Sequence, residues 1–177
     1  MNYIMIYELK NFFSFDQCSE LIQKISNTEK LTPFTDSGEF INHKWVDNVF
    51  TQKLFEQLES YQIHDNILRA NSILMFGLYH VGNSFALHTD TGLYYNKSTN
   101  EETRWTLLIY LNDDFLGGET IFYNDDWSVK QIIQPKKGCA ILFDIDLWHQ
   151  GNEIKQGSKY WIGCEIIGQI KSQFSLK

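Results

Sequence analysis

The spacing of apolar residues changes character at about residue 68. Before it, apolar positions recur at helical spacing; after it, they come in short runs cut by turn residues. Residues 3–9 alternate loosely and are expected to form a first strand. Ser14 or Asp16 can cap a helix running through Ile25, with Cys18, Leu21, Ile22 and Ile25 as its apolar stripe. The polar stretch from Asn27 to Gly38, with Pro33 inside it, reads as a loop. A second helix is expected from Asn48 to Tyr61, carrying Val49, Phe50, Leu54, Phe55 and Leu58 on one side. Stripes of this kind are packing surfaces, and they give both helices the job of backing a sheet.

The expected strands are Ile73–Tyr79, Phe85–His88, Trp105–Leu111, Glu119–Phe122, Gln131–Gln134, Ala140–Phe143 and Lys159–Gly168. Turn residues separate them, including Val81-Gly82-Asn83, Gly117-Gly118, Asn124-Asp125-Asp126 and Gln156-Gly157-Ser158. Short strands in series without intervening helices predict a mainly β fold, a double-sheet jelly roll with N-terminal helices in support. The chain is read as one domain over 1–177, with 1–67 mostly helical support and 68–170 the jelly-roll core. Thr91 to Thr103 is a long polar loop placed to act as a lid.

Composition narrows the classes further. A net charge of −7 and a pI near 5.2 disfavour a grip on a phosphate backbone, so nucleic acid is not the expected partner. Three cysteines without a C-x-x-C pair read as ordinary thiols rather than a disulfide frame or a zinc knuckle. Asn96-Lys97-Ser98 fits a glycosylation sequon, but the N-terminus lacks the basic segment and cleavage site of a secretory leader. No run reaches the length of a membrane span. The expectation is a soluble, cytoplasmic or otherwise intracellular protein; oligomeric state leaves no mark in the sequence.

The chemistry centres on Tyr79-His80-Val81-Gly82-Asn83-Ser84-Phe85-Ala86-Leu87-His88-Thr89-Asp90. Of the five histidines, only His88 has a carboxylate two positions on, and in extended chain both side chains point the same way. An isolated H-x-D is ordinarily a polar loop pair. His149, in Leu147-Trp148-His149-Gln150-Gly151, is the obvious third ligand. Two histidines and one carboxylate on one side of an octahedral ion make the facial triad of non-haem Fe(II) oxygenases. Lys159 opens the last strand and by parity shares a face with Trp161, Gly163 and Glu165. An inward lysine there needs an anionic partner; an exposed edge lysine is the alternative, and parity alone does not choose.

From Tyr79 onward the chain resembles the 2-oxoglutarate/Fe(II) dioxygenase superfamily, in its prolyl 4-hydroxylase-like branch. The matching pieces are Tyr79-x-x-Gly82 with His88-x-Asp90, Arg104-Trp105-Thr106-Leu107-Leu108-Ile109-Tyr110-Leu111-Asn112, Gly117-Gly118-Glu119-Thr120, Pro135-x-x-Gly138 and Trp148-His149 with Lys159. The resemblance implies His88, Asp90 and His149 as iron ligands and Lys159 on the distal carboxylate of 2-oxoglutarate. It implies co-substrate contacts from Tyr79 and Thr106. Fe(II), 2-oxoglutarate and O2 are the implied cofactors, with ascorbate a further candidate. The implied reaction hydroxylates a peptide or protein side chain, proline the first guess, and releases succinate and CO2.

Two departures bear on the substrate. Prolyl hydroxylases usually carry a tryptophan six residues after the lysine, where this chain has Glu165. A tyrosine often stands three residues before the first histidine, where this chain has Phe85. Phe85, Glu165, Arg104 and Trp161 are therefore the expected substrate wall, with Arg104 a candidate partner for Glu165. The competing readings are the same chemistry on a non-prolyl residue or small molecule, a zinc hydrolase on the same three ligands, and a non-catalytic jelly-roll binding module.

Overall fold

The computed structural model describes residues 6–27, 41–63, 66–92 and 94–170, with backbone alone for 41–44. In chain order it runs β1 (Ile6–Leu9), α1 (Phe15–Ser26), β2 (Ile41–Val46), α2 (Asn48–Glu59), β3 (Ile67–Tyr79), β4 (Phe85–His88) and β5 (Tyr95–Asn96). It continues with β6 (Glu101–Tyr110), β7 (Leu116–Gly117), β8 (Thr120–Tyr123), β9 (Val129–Ile133), β10 (Ala140–Asp144), β11 (His149–Gly151), β12 (Ile154–Gln156) and β13 (Lys159–Gln169). The loop expected at 27–38 lies almost wholly outside the described residues.

Local chemistry starts both helices. The Ser14 hydroxyl accepts from the Gln17 amide at 3.2 Å while Gln17 Oε1 accepts from the Ser14 amide at 2.8 Å, a reciprocal capping box. Asp47 caps α2 by accepting from the Phe50 amide at 2.8 Å. Val49, expected on the α2 stripe, is exposed at the helix start, but the expected stripes face inward at Cys18, Leu21 and Ile25 of α1 and at Leu54, Phe55 and Leu58 of α2. They pack on Leu74, Leu107, Ile109, Leu142, Ile162 and Ile166 from the sheet behind them.

That major sheet has the order β1-β10-β6-β13-β3-β2, with β5 added beside β6, and every pairing is antiparallel. The minor sheet has the order β4-β11-β8-β9. The two sheets form the jelly roll, and Tyr110, Ile141 and Phe143 of the major sheet share a core with Phe122 and Ile133 of the minor one. Central strand β13 divides as its parity predicts. Ile162, Cys164 and Ile166 join the core beneath the helices, whereas Lys159, Trp161, Gly163 and Glu165 line a cavity on the opposite face.

Three features depart from expectation. β2 is an edge strand within the segment read as helical support. The stretch 91–103 is not loop throughout, because β5 pairs with the start of β6 and extends that strand back to Glu101. Register also breaks on both sides of β13. β6 passes from Trp105 to Thr103 while β13 advances only from Ile166 to Ile167, so Arg104 is the extra residue of a bulge. On the other side, β3 spends Leu74 to Ala70 against Cys164 to Ile166.

Candidate active site

β4 and β11 are hydrogen-bonded neighbours in which His88 and His149 stand directly opposite each other. Their rings lie 4.2 Å apart between centroids. Asp90 follows β4 and is pinned by its amide, which donates to the Ile145 carbonyl at 3.2 Å. The ligand-type atoms of His88, Asp90 and His149 all lie within 4.8 Å of one another.

The tautomers follow from the backbone. His88 Nδ1 is 2.7 Å from the Ala86 carbonyl and His149 Nδ1 is 2.9 Å from the Leu147 carbonyl. A carbonyl only accepts, so each Nδ1 carries the proton and each Nε2 presents a lone pair. Both Nε2 atoms point at Asp90 Oδ1, at 3.4 Å from His88 and 3.8 Å from His149. His149 is wedged between Phe122 and Phe143, with ring centroids 5.7 and 4.8 Å away. Burial pushes its pKa below the usual imidazole value, against the pull of Asp90, and so favours the neutral form that binds metal. Burial would raise the Asp90 carboxyl, but the hydroxyl of Thr106 donating to it and the two imidazoles beside it outweigh burial and hold it below its ordinary range. Two neutral imidazole nitrogens and an ionised carboxylate, already oriented through the atoms they do not offer, fit a divalent ion such as Fe(II).

Thr106 lines the same cavity, but its hydroxyl donates to Asp90 Oδ2 at 2.5 Å. Its hydroxyl hydrogen is thus committed to the Asp90 carboxylate while the residue faces the cavity.

The triad opens on a cavity of about 280 Å³. At one end stands Lys159, only 3% exposed. Its ammonium donates to the Gly118 carbonyl at 2.6 Å and lies 5.2 Å over the Tyr110 ring. The glycine pair makes that contact possible. Gly117 and Gly118 both have left-handed φ, 81° and 69°, and a Cβ on Gly118 would come within 2.5 Å of Ile154 Cδ1. Burial lowers the Lys159 pKa from 10.5 to about 7, with Glu119 pulling weakly the other way. A buried ammonium held by one neutral carbonyl, at the wall of a cavity, is a place for an anion. Tyr79 stands opposite Lys159 in register, and its phenol is held by the Trp161 indole N–H; burial raises its pKa, so it stays a neutral hydroxyl. Thr120, whose hydroxyl is 2.7 Å from that of Tyr110, completes this end.

The other end is built around Glu165. It faces inward as parity predicts and is 7% exposed. Arg104 is not its partner. The bulge turns that guanidinium away, over the Trp105 ring and onto the Gln169 carbonyl at 3.0 Å, and brings Thr103 inward in its place. Glu165 Oε2 accepts from the Thr103 hydroxyl at 3.1 Å and the Asn71 amide at 2.9 Å. Trp161 lies flat across Gly77, where any Cβ would stand 1.9 Å from the indole. Phe85 packs its ring 4.2 Å from that of His88 and also lines the cavity.

Sequence reading therefore names about half of the lining but misses Thr120, Met75, Leu108 and Phe143 among others, and it misses Asn71 and Thr103, which hold Glu165 from outside the cavity.

Comparison with known proteins agrees with this geometry. The family model for the 2OG-Fe(II) oxygenase superfamily matches residues 74–164. A prolyl-4-hydroxylase from Pseudomonas putida superposes with a TM-score of 0.69 at 12% identity, covering 96% of this chain and 95% of that one. The viral collagen prolyl hydroxylase of Paramecium Bursaria Chlorella virus-1, in its 2-oxoglutarate complex, gives 0.63 at 20% identity, covering 92% and 96%. A prolyl hydroxylase from Trichoplax adhaerens, in complex with a hypoxia inducible factor oxygen degradation domain peptide fragment, gives 0.65 at 16% identity, covering 94% and 85%. No curated protein matches the sequence. At these identities the neighbours establish the jelly-roll fold, and the family match spans the two histidines, the carboxylate and the buried lysine; the chain belongs to the 2OG-Fe(II) oxygenase superfamily, whose cofactors are Fe(II) and 2-oxoglutarate.

Proposed function

We propose that this oxygenase hydroxylates a side chain of a peptide or protein, using His88, Asp90 and His149 to hold Fe(II) and Lys159 to hold 2-oxoglutarate. The observation that carries the reading is the convergence of both Nε2 atoms and Asp90 Oδ1 beside a cavity whose wall holds a buried ammonium. When bound, Fe(II) with 2-oxoglutarate and dioxygen supplies the oxidising power that replaces a C–H bond by C–OH, with release of succinate and CO2. The chain's own residues orient and shield. Lys159 takes the far carboxylate of the co-substrate, with Tyr79 and Thr120 able to add neutral hydroxyls. Thr106 holds Asp90 in one rotamer through Oδ2, which leaves Oδ1 on the side of the two imidazoles. Phe85, Leu108, Phe143 and Trp161 give the cavity a largely apolar wall around these polar groups. A zinc hydrolase on the same three ligands would give Lys159 no task.

The peptide-bound neighbour supports a peptide substrate, with a prolyl residue as the first candidate. A second reading, the same chemistry on a non-prolyl residue or small molecule, is favoured by one observation. Glu165 puts a carboxylate into the cavity wall, and a proline ring has no cation to meet it. The deciding experiment is aerobic incubation with Fe(II), 2-oxoglutarate and defined peptide pools. Succinate must appear together with the mass of one added oxygen on a peptide. Consumption of 2-oxoglutarate with no oxidised peptide in any pool would remove the peptide reading.

A further inference from the structure

Trp161 is held in a posture that a wall residue does not need. In register it faces Gly77 on β3, and the next inward position of its own strand is Gly163. Neither carries a side chain, and the indole uses both gaps. A Cβ on Gly77 would stand 1.9 Å from Cε2 and 2.0 Å from Nε1, and one on Gly163 would stand 3.1 Å from Cζ3. The ring therefore lies down on the sheet, its nitrogen edge over β3 and its far edge over β13. Glycine inside a strand weakens it and marks a place where another group must come close. Here that group is the indole.

The posture aims the N–H along β3. Tyr79 lies two residues beyond Gly77 on the same face, which makes it the diagonal neighbour of Trp161. Diagonal neighbours are about 7–8 Å apart, a gap that aromatic side chains bridge. The two rings meet edge to face at 74°, with centroids 6.0 Å apart, and the phenol oxygen takes the indole N–H. An indole nitrogen donates and never accepts, so the phenol hydrogen is given to a different acceptor.

Position decides what that acceptor is when the site is filled. Tyr79 is the direct cross-strand partner of Lys159, in the end pair of the β3–β13 ladder. Such partners share a face, with Cβ atoms about 4.5–5.5 Å apart. Both are buried and both line the cavity. An anion that reaches the Lys159 ammonium is therefore within reach of the phenol too. Burial keeps that phenol protonated, so it meets a carboxylate as a donor. Accepting from the indole also polarises the O–H and strengthens the bond it gives.

We propose that Trp161 is a positioning residue for the co-substrate: laid flat by Gly77 and Gly163, its indole N–H fixes the Tyr79 phenol so that the phenol donates to the carboxylate held by Lys159. The inference rests on the oxygenase reading above and deepens it, giving Trp161 a task on 2-oxoglutarate rather than on the substrate.

The test is a double-mutant cycle on Tyr79→Phe and Trp161→Phe, read by calorimetry of 2-oxoglutarate binding to anaerobic protein loaded with Fe(II). Tyr79→Phe removes a hydrogen bond to a charged group and should weaken binding about ten- to a hundredfold. Trp161→Phe keeps an aromatic ring but deletes the N–H, a neutral hydrogen bond, and should weaken binding about three- to tenfold. In the Tyr79→Phe background the same change should have no further effect, because no phenol is left to hold. Fe(II) affinity should be equal in all four proteins. A merely structural role would instead weaken binding by the same factor in both backgrounds. Ultraviolet resonance Raman of the metal-free protein gives a second reading that leaves Trp161 in place. Of the five tryptophans, one indole N–H should lose its acceptor in Tyr79→Phe. Should Trp161→Phe fail to fold, that spectrum decides. Unchanged 2-oxoglutarate affinity in Trp161→Phe, equal losses in both backgrounds, or an indole N–H signal indifferent to Tyr79→Phe overturns the inference and leaves the oxygenase reading standing. If the parent fails to bind 2-oxoglutarate at all, both fall.

Discussion

Replacing Lys159 by Met removes the ammonium while keeping most of the stem, and it should have opposite effects on stability and on co-substrate binding. In the folded chain burial lowers the Lys159 pKa from 10.5 to about 7. Between those values the unfolded chain binds one proton more than the native state, so stability rises with pH across that window. The burial cost is fully present at and below pH 7, where a shift of this size corresponds to about 5 kcal/mol, and it fades toward pH 10.5. Lys159→Met should therefore be more stable than the parent at pH 6–7, with the gain shrinking as pH rises. Urea unfolding at several pH values measures it. Affinity for 2-oxoglutarate should fall at the same time, because a charge-assisted hydrogen bond of about 1.5–3 kcal/mol is lost, roughly ten- to a hundredfold. The parent carries a further signature. With a pKa of about 7 in the empty site, Lys159 is mostly neutral at pH 8, so binding a dicarboxylate should take up about nine-tenths of a proton there. Calorimetry in two buffers of different ionisation enthalpy reads that uptake. No proton uptake at pH 8, together with unaltered 2-oxoglutarate affinity in Lys159→Met, would refute the assignment of Lys159 to the co-substrate.

Two further substitutions probe the walls. Thr106→Val removes the 2.5 Å bond to Asp90 Oδ2 and should weaken Fe(II) binding about ten- to a hundredfold, with Thr106→Ser restoring it; equal metal affinity in Val and Ser variants would deny Thr106 its positioning role. Gly77→Ala forces a Cβ to within 1.9 Å of the Trp161 indole and should cost about 1–3 kcal/mol of stability, read as a lowered melting temperature; an unchanged melt would mean the indole does not lie where the structure has it.

The long apolar strands and both helices could be read from the sequence because period and turn chemistry agree there; Ser14 is one of two candidate caps for α1 in the sequence, and the Asp47 cap of α2 emerges only from the structure. Strands of two or three residues could not. β7, β11 and β12 are too short to show a period, although β11 carries His149. β2 escaped because Asn42, His43 and Lys44 interrupt its apolar pattern in the sequence. For the site, parity along β13 placed Lys159, Trp161 and Glu165 on one face, and the structure keeps all three there. Parity failed on β6 because one extra residue reverses every face beyond it. That bulge sends Arg104 away from Glu165 and brings Thr103 to it. The Asn71 contact crosses 94 positions of sequence, which no local pattern can report.

The central claim is that His88, Asp90 and His149 hold Fe(II) in a form that 2-oxoglutarate completes. Its most direct test is an anaerobic titration of 2-oxoglutarate into Fe(II)-loaded protein, followed by visible absorption. The account predicts a charge-transfer band that saturates at one equivalent in the parent and is absent in His149→Ala. A parent without the band, or a His149→Ala variant that shows it at full strength, would contradict the account.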